Sequence, residues 1–145
     1  MFVVDTNVLI YAADADSEAH AVCRTSIDQW RRQAAPWFLT WAICYEFLRV
    51  CTHARVFRRP WTAGAALGFL DALLAAPGVA LLEPTVRHPA VLQQTLGELP
   101  DLRGNVMHDL HTAVLMREHG VSRIVTRDTD FHRFPFLSVI DPLRQ

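Results

Sequence analysis

The chain contains no lysine: all 14 of its basic residues are arginines. That absence excludes mechanisms built on a catalytic or phosphate-cradling lysine, the P-loop among them, and leaves guanidinium groups, which suit bidentate phosphate contacts. Cysteine is scarce. Cys23, Cys44 and Cys51 are odd in number, lack CxxC spacing and fall on apolar helical stretches, which predicts buried thiols and neither a disulfide framework nor a zinc site. No apolar run approaches the roughly 20 residues of a membrane span, and Met1 leads into FVVD without a signal-peptide pattern, so a cytoplasmic protein is expected. Linkers rich in Pro, Gly or Ser and internal repeats are missing too, which points to one domain over residues 1–145. A formal charge of -1 excludes indiscriminate coating of nucleic acid, so any such binding must be local.

What the chain has in quantity is apolar material, 51% of 145 residues, enough for a sizeable core in one compact domain. Phe2 to Asp5 reads as a buried parallel strand, with Thr6 and Asn7 at the turn into a helix-like VLIYAA. Ser17 is a candidate cap for a helix through Ala19, Cys23, Ile27 and Trp30; WFLT then reads as a strand and Trp41 to Cys51 as a helix. A helix from Thr62 to Ala76, a strand at VALLE and a helix opening at Thr85 or His88 follow. A helix from Val106 to His119, stopped by Gly120, and strands at SRIVT and LSVI complete the series. Such alternation predicts an α/β domain with a mainly parallel sheet covered by helices on both faces. Ligands in these folds bind beyond the carboxyl ends of strands, where Asp5 and Asp128 both fall.

Against this apolar background the acids stand out: Asp5 in MFVVD, Glu46 in WAICYEFLRV, Asp109 in NVMHDLHTAVLM, and Asp128 with Asp130 in SRIVTRDTDF. A carboxylate in such surroundings is costly to bury unless it is paired or metal-bound, so the recurrence suggests one shared acidic pocket. An oxygen-only donor set suits magnesium or manganese, whose usual chemistry in such pockets is phosphoryl transfer or phosphodiester hydrolysis. No serine, cysteine or histidine nucleophile is then required. Each acid also has an ordinary reading: Asp5 as an Asx turn or helix cap, Asp109 as a first-turn anion, Glu46 as an exposed helical residue, TRDTD as a solvated turn. Glu46 is the hardest to dismiss, because Tyr45, Phe47 and Leu48 surround it in mid-helix and leave little room for a solvated face.

Taken in order, MFVVDTNVLIYA, YEFLRVCTHARVFRRP, RGNVMHDLHTAVLMREHG and VTRDTDFHRFP resemble the PIN-domain ribonucleases, and within them the VapC-type toxins of bacterial toxin–antitoxin pairs. DTN alone is a weak signal; the ordered set spans nearly the whole chain and is specific. The resemblance implies a three-layer α/β/α fold of PIN type and a Mg2+- or Mn2+-dependent endoribonuclease that hydrolyses RNA with a metal-activated water. It implies that Asp5, Glu46, Asp109 and Asp128 are catalytic and hold the metal, with Asn7, Thr126 and Asp130 as supporting polar groups. His108 and Leu110 depart from the small or rigid residues expected around the third acid. A homodimer and a VapB-like antitoxin, whose C-terminal segment occupies a groove, are implied as well.

Arg55, Arg58 and Arg59, with Arg49 before them, cluster around Val56 and Phe57 and are candidate RNA-binding residues with an aromatic for stacking; a solvated Arg-rich turn fits the same residues. By the resemblance this stretch lies near the mouth of the site. His108 and His111 form an HxxH pair beside Asp109, but no third ligand accompanies them. Most of Trp30, Trp37, Trp41, Trp61, Phe47 and Phe69 are expected in the core. An Asp-nucleophile phosphohydrolase or phosphoacceptor domain also places Asp after a first strand, but the families so built use a lysine, and the phosphohydrolase wants an acid where Asn7 stands. An RNA-binding PIN domain without cleavage would lack one or more of the acids, which are all present here.

Overall fold

A computed structural model describes residues 1–144; Gln145, the last residue of the expected 1–145 domain, lies outside the described residues. The elements run β1 (Val3–Val4), α1 (Thr6–Ala13), α2 (His20–Trp30), β2 (Trp37–Leu39), α3 (Trp41–Cys51), α4 (Ala63–Leu74) and β3 (Val79–Leu81). After them come α5 (His88–Glu98), α6 (Val106–Glu118), β4 (Arg123–Val125), a 3-10 turn (Thr129–Arg133) and β5 (Ser138–Ile140). The five strands form one sheet in the order β3-β2-β1-β4-β5, every pairing parallel. The chain steps outward from β1 to β3 and then returns to build β4 and β5 on the other side. With right-handed crossovers this reversal puts α1 to α4 on one face and α5 and α6 on the other. Packing agrees: α1 lies against α2 and α3, α3 against α4, and α5 against α6.

Local chemistry explains the element boundaries. Val3 and Val4 are fully buried, as β-branched residues of a central strand covered on both faces should be. Buried Thr40 caps α3, its Oγ1 accepting from the Ile43 N–H at 3.1 Å, and Thr62 caps α4 through the Ala65 N–H at 3.1 Å. At the end of α6, Gly120 takes φ 68° and the Val121 N–H donates to the Met116 carbonyl at 2.9 Å, which closes the helix and turns the chain into β4. A Cβ at Gly78 would meet the Gln33 and Ala35 carbonyls at 3.0 Å, so glycine permits the close approach that starts β3 beside β2.

The helix expected from Ser17 begins later, at His20. Ser17 instead makes a turn, its Oγ accepting from the Ala19 N–H at 3.2 Å and its carbonyl from the His20 N–H at 3.0 Å. Trp37 and Phe47 are core residues, and Trp30, Trp61 and Phe69 pack against the core at its margin. Trp41 is half exposed on α3, its indole N–H donating to Glu83. Cys23, Cys44 and Cys51 are free and buried, and burial pushes their thiols up to about 11, 11 and 12, which leaves them unreactive.

One buried polar contact had no clear signal in the sequence. The Glu118 carboxylate at the end of α6 accepts from the Thr85 N–H and hydroxyl at 2.9 and 2.8 Å and lies 2.5 Å from His88 Nδ1. It fastens the start of α5 to α6, the helix that presents Asp109. Among the described residues no helix is long and apolar enough to cross a membrane.

Candidate active site

The strand order reverses between β1 and β4, and the crevice beyond their carboxyl ends is where an open α/β sheet holds a ligand. A hydrogen-bond network ties the two strand ends together there. Asp5 caps α1, with Oδ1 accepting from the Thr6 N–H at 2.7 Å, while Oδ2 accepts from Asn7 Nδ2 at 2.8 Å and from the Thr126 hydroxyl at 2.7 Å. Thr126 Oγ1 in turn accepts from Asn7 Nδ2 and from the Asp128 N–H, each at 2.9 Å, and Asn7 Oδ1 accepts from the Arg127 N–H at 3.2 Å. The cap reading and the site reading of Asp5 are therefore compatible: one oxygen starts the helix and the other anchors β4.

Asp128 caps the 3-10 turn, its Oδ1 accepting from the Asp130 N–H at 2.9 Å. That turn folds Asp130 back, so that carboxylate oxygens of Asp109, Asp128 and Asp130 lie within 4.8 Å of one another. Asp109 arrives from α6 and Glu46 from α3; with Asp5, Asn7 and Asp128 they line a cleft of about 690 Å³. The tightest acidic group thus includes Asp130 and leaves out Asp5 and Glu46. The sequence carried a hint of this in the D-x-D spacing of an Asx cap.

The electrostatics reflect crowded like charge. Burial, and then the charges of Asp128, Asp5 and Asp130, push the Asp109 carboxyl up to about 7. Burial raises Asp5 as well, against hydrogen bonds from Thr126, Thr6 and Asn7 that favour its charged form. Glu46 moves the other way: the hydrogen-bonded Arg49 guanidinium holds its carboxyl below the usual range. Arg49 grips both oxygens, Nε to Oε2 at 2.9 Å and Nη2 to Oε1 at 2.6 Å.

The surroundings of Glu46 differ from the expectation. Its side chain is 44% exposed and its neighbour Tyr45 is 70% exposed, because α3 turns Ile43, Cys44 and Phe47 inward and leaves this stripe to the cleft and solvent. The arginine-rich stretch differs too. Phe57 is 3% exposed and packs edge-on against Trp61, so it belongs to the core and offers no face for stacking. Arg58 and Arg59 line a separate hollow of about 290 Å³ with Asp14 and Asp16. This hollow lies at the far end of α1, about 12 Å along the helix from Asp5 at 1.5 Å per residue. Arg49 is the arginine that the cleft itself contains.

His108 lines the acidic cleft, whereas His111 faces His88 edge-on, with ring centroids 5.9 Å apart. The two histidines of HxxH are directed to different places. Among the described residues, the one group of three or more side chains with metal-ligand spacing is all carboxylate.

A wholly parallel sheet with an acidic cleft at its switch point defines an α/β domain of PIN type, and the PIN domain family model matches residues 2–137. Ribonuclease VapC37 of Mycobacterium tuberculosis is 37% identical over 134 residues, 92% of this chain and 92% of that protein. Ribonuclease VapC43 of the same organism is 35% identical over 143 residues, 99% of this chain and 96% of that protein. The chain belongs to the PIN-domain family, in its VapC ribonuclease branch. Solved structures share the fold. A chain of VapBC2 from Rickettsia felis, bound to a DNA fragment from its promoter, superposes with TM-score 0.68 at 15% identity over 96% of both chains. VapC20 of Mycobacterium tuberculosis, a Sarcin-Ricin loop cleaving toxin, does so with TM-score 0.63 at 18% identity over 91% of this chain and 93% of that one.

Proposed function

We propose that the chain, as a single PIN domain, is a magnesium- or manganese-dependent endoribonuclease, the toxin of a type II toxin–antitoxin system acting in the cytoplasm. The observation that carries this reading is the convergence of Asp109, Asp128 and Asp130 oxygens within 4.8 Å, beside Asp5 and Glu46 in one cleft. The donor set is all oxygen and anionic, and burial, with the like charges of Asp128, Asp5 and Asp130 added to it, pushes Asp109 up to about 7, a cost that a hard divalent cation would relieve. Asp109, Asp128 and Asp130 would hold the ion directly, with Asp5 and Glu46 completing the set. Bound there, it would supply Lewis-acid polarisation of a phosphodiester and a water acidified for in-line attack. The protein's own part is positional. Thr126 and Asn7 fix the Asp5 carboxylate and the β4 end, so the acids from β1 and β4 cannot drift apart. Metal-dependent cleavage of a pool of structured RNAs tests the reading; binding without cleavage would make the protein an RNA-binding PIN domain instead.

Arg55, Arg58 and Arg59 are assigned to RNA capture rather than chemistry, because none of them lines the acidic cleft and Arg58 and Arg59 border a hollow of their own. Replacing all three by Ala should weaken RNA binding and reduce the slope of log K against log salt by about 0.7 for each phosphate that is no longer neutralised. Turnover at saturating RNA should hold. An unchanged affinity and salt slope in filter binding would reduce the stretch to a solvated turn.

We assign a homodimer and a VapB-like antitoxin as partners. The helices that carry Glu46 and Asp109 leave Trp41, Tyr45 and Met107 exposed, apolar surface suited to an interface. An Arg or Lys of the antitoxin's C-terminal segment would pair with the cleft acids in place of a cation. Co-expression with the adjacent small open reading frame should give a stoichiometric complex without nuclease activity, which returns when the antitoxin is proteolysed. Full activity in the intact complex would overturn occlusion of the cleft, and a monomer in light scattering would overturn the dimer.

A further inference from the structure

Arg49 occupies a peculiar position in this cleft. It is the one arginine among the described lining residues, and its partner is one of the acids assigned to the cation. The fork it makes on Glu46 takes up an acceptor site on each carboxylate oxygen, and a divalent ion would need some of the same electron pairs. Glu46, like Asp5, stands outside the group of carboxylates within 4.8 Å of one another although it shares their cleft, and of these two it is the one held by an arginine.

The pair is also easy to break. The Arg49 side chain is 60% exposed and that of Glu46 44%, on neighbouring turns of one helix, and an exposed ion pair of this kind contributes little net stability. Nothing else fastens the guanidinium, whose hydrogen bonds among the described residues go to Glu46 alone. An RNA phosphate offers the same bidentate geometry as a carboxylate. In a cleft otherwise lined by acids and neutral groups, with His108 the other basic side chain, it would meet Arg49 as the permanent cation.

We infer that Arg49 is a substrate-responsive latch: in the free protein it holds Glu46 back from the acidic cluster, and a phosphate of the incoming RNA draws it off, releasing Glu46 to the cation. Arg49 is thus a positioning residue, acting through Glu46. The latch couples the two ligands, so RNA tightens metal binding and metal tightens RNA binding by the same factor. It also spares the free protein from completing its cation site before substrate arrives. The inference rests on the metal-dependent nuclease reading.

The test is calorimetric titration of Mn2+ into wild type, Arg49→Ala, Glu46→Gln and the double variant, with and without a phosphorothioate oligoribonucleotide that resists cleavage. Without RNA, Arg49→Ala should bind Mn2+ about two- to fivefold more tightly than wild type, the range that releasing an exposed ion pair can supply. The same substitution should give a smaller gain in the Glu46→Gln background, since no latch remains to remove. The oligoribonucleotide should improve Mn2+ affinity more in wild type than in Arg49→Ala. Equal Mn2+ affinity of wild type and Arg49→Ala would overturn the latch, as would equal gains in the two backgrounds, which would reduce Arg49 to a nearby positive charge. A wild type that binds no Mn2+ under any of these conditions would remove the nuclease reading itself, and the latch with it.

Discussion

Asp109→Asn should lower RNA cleavage by ~10³-fold or more, corresponding to the several kcal/mol that a bound Lewis-acid cation supplies. At the same time it should make the metal-free protein more stable at pH 8. Asn keeps the size of Asp but brings no charge into a cluster where Asp128, Asp5 and Asp130 already repel one another. The sign follows from the shift: Asp109 titrates at about 7 in the folded protein against 3.8 ordinarily, so the folded state holds its proton more firmly. The stabilising share of that proton is complete below about pH 4 and is lost as pH rises through about 7. Metal-free wild type should therefore melt lower at pH 8 than Asp109→Asn, with the gap closing at pH 4 and shrinking when Mn2+ is added. Asp5→Asn should also lose cleavage but at a different cost. Both Asp5 oxygens accept hydrogen bonds, so an NH2 group must face a donor, a loss of about 1–3 kcal/mol. Melting and single-turnover cleavage separate the two: near-wild-type cleavage by either variant removes that residue from the catalytic set.

Removing divalent cations should abolish activity outright. Excess chelator leaves the cleft with clustered carboxylates that repel the RNA backbone and nothing to polarise a phosphate. Magnesium or manganese should restore cleavage. Calcium should bind and compete but support little turnover, because its looser, larger coordination shell aims the attacking water less tightly. Activation by zinc alone would point to His108 instead, and full activity in chelator would end the cation mechanism.

The periodicity of the chain made the order of elements legible: five strand-like runs, the α3 helix from Trp41 to Cys51, and the stop at Gly120 are all present in the fold. These features depend on residues within one turn or strand of each other, and short-range propensity and capping decide them. The start of α2 was not legible, because Ser17 can cap a helix or make a turn, and in the fold it makes a turn that delays the helix to His20. The identity of the acids was legible as well, since a charged residue inside an apolar run is conspicuous without any fold.

Which acids meet was decided by the tertiary structure. Asp109 and Asp128 approach because the strand order reverses beside β1 and α6 packs against the 3-10 turn that Asp128 caps, and both are long-range facts. The fate of Glu46 was likewise invisible, since its apolar neighbours point inward while Tyr45 and Arg49 share its exposed stripe. Phe57 has the look of a stacking platform in RVFRRP and is core in the fold, because burial depends on what packs above a side chain. The sequence by itself thus determined the elements and the chemical kinds of group available, both properties of neighbouring residues. Only the folded chain decided distance, exposure and partner, because those depend on residues brought together from opposite ends of the sequence, as Asn7 and Thr126 are around Asp5.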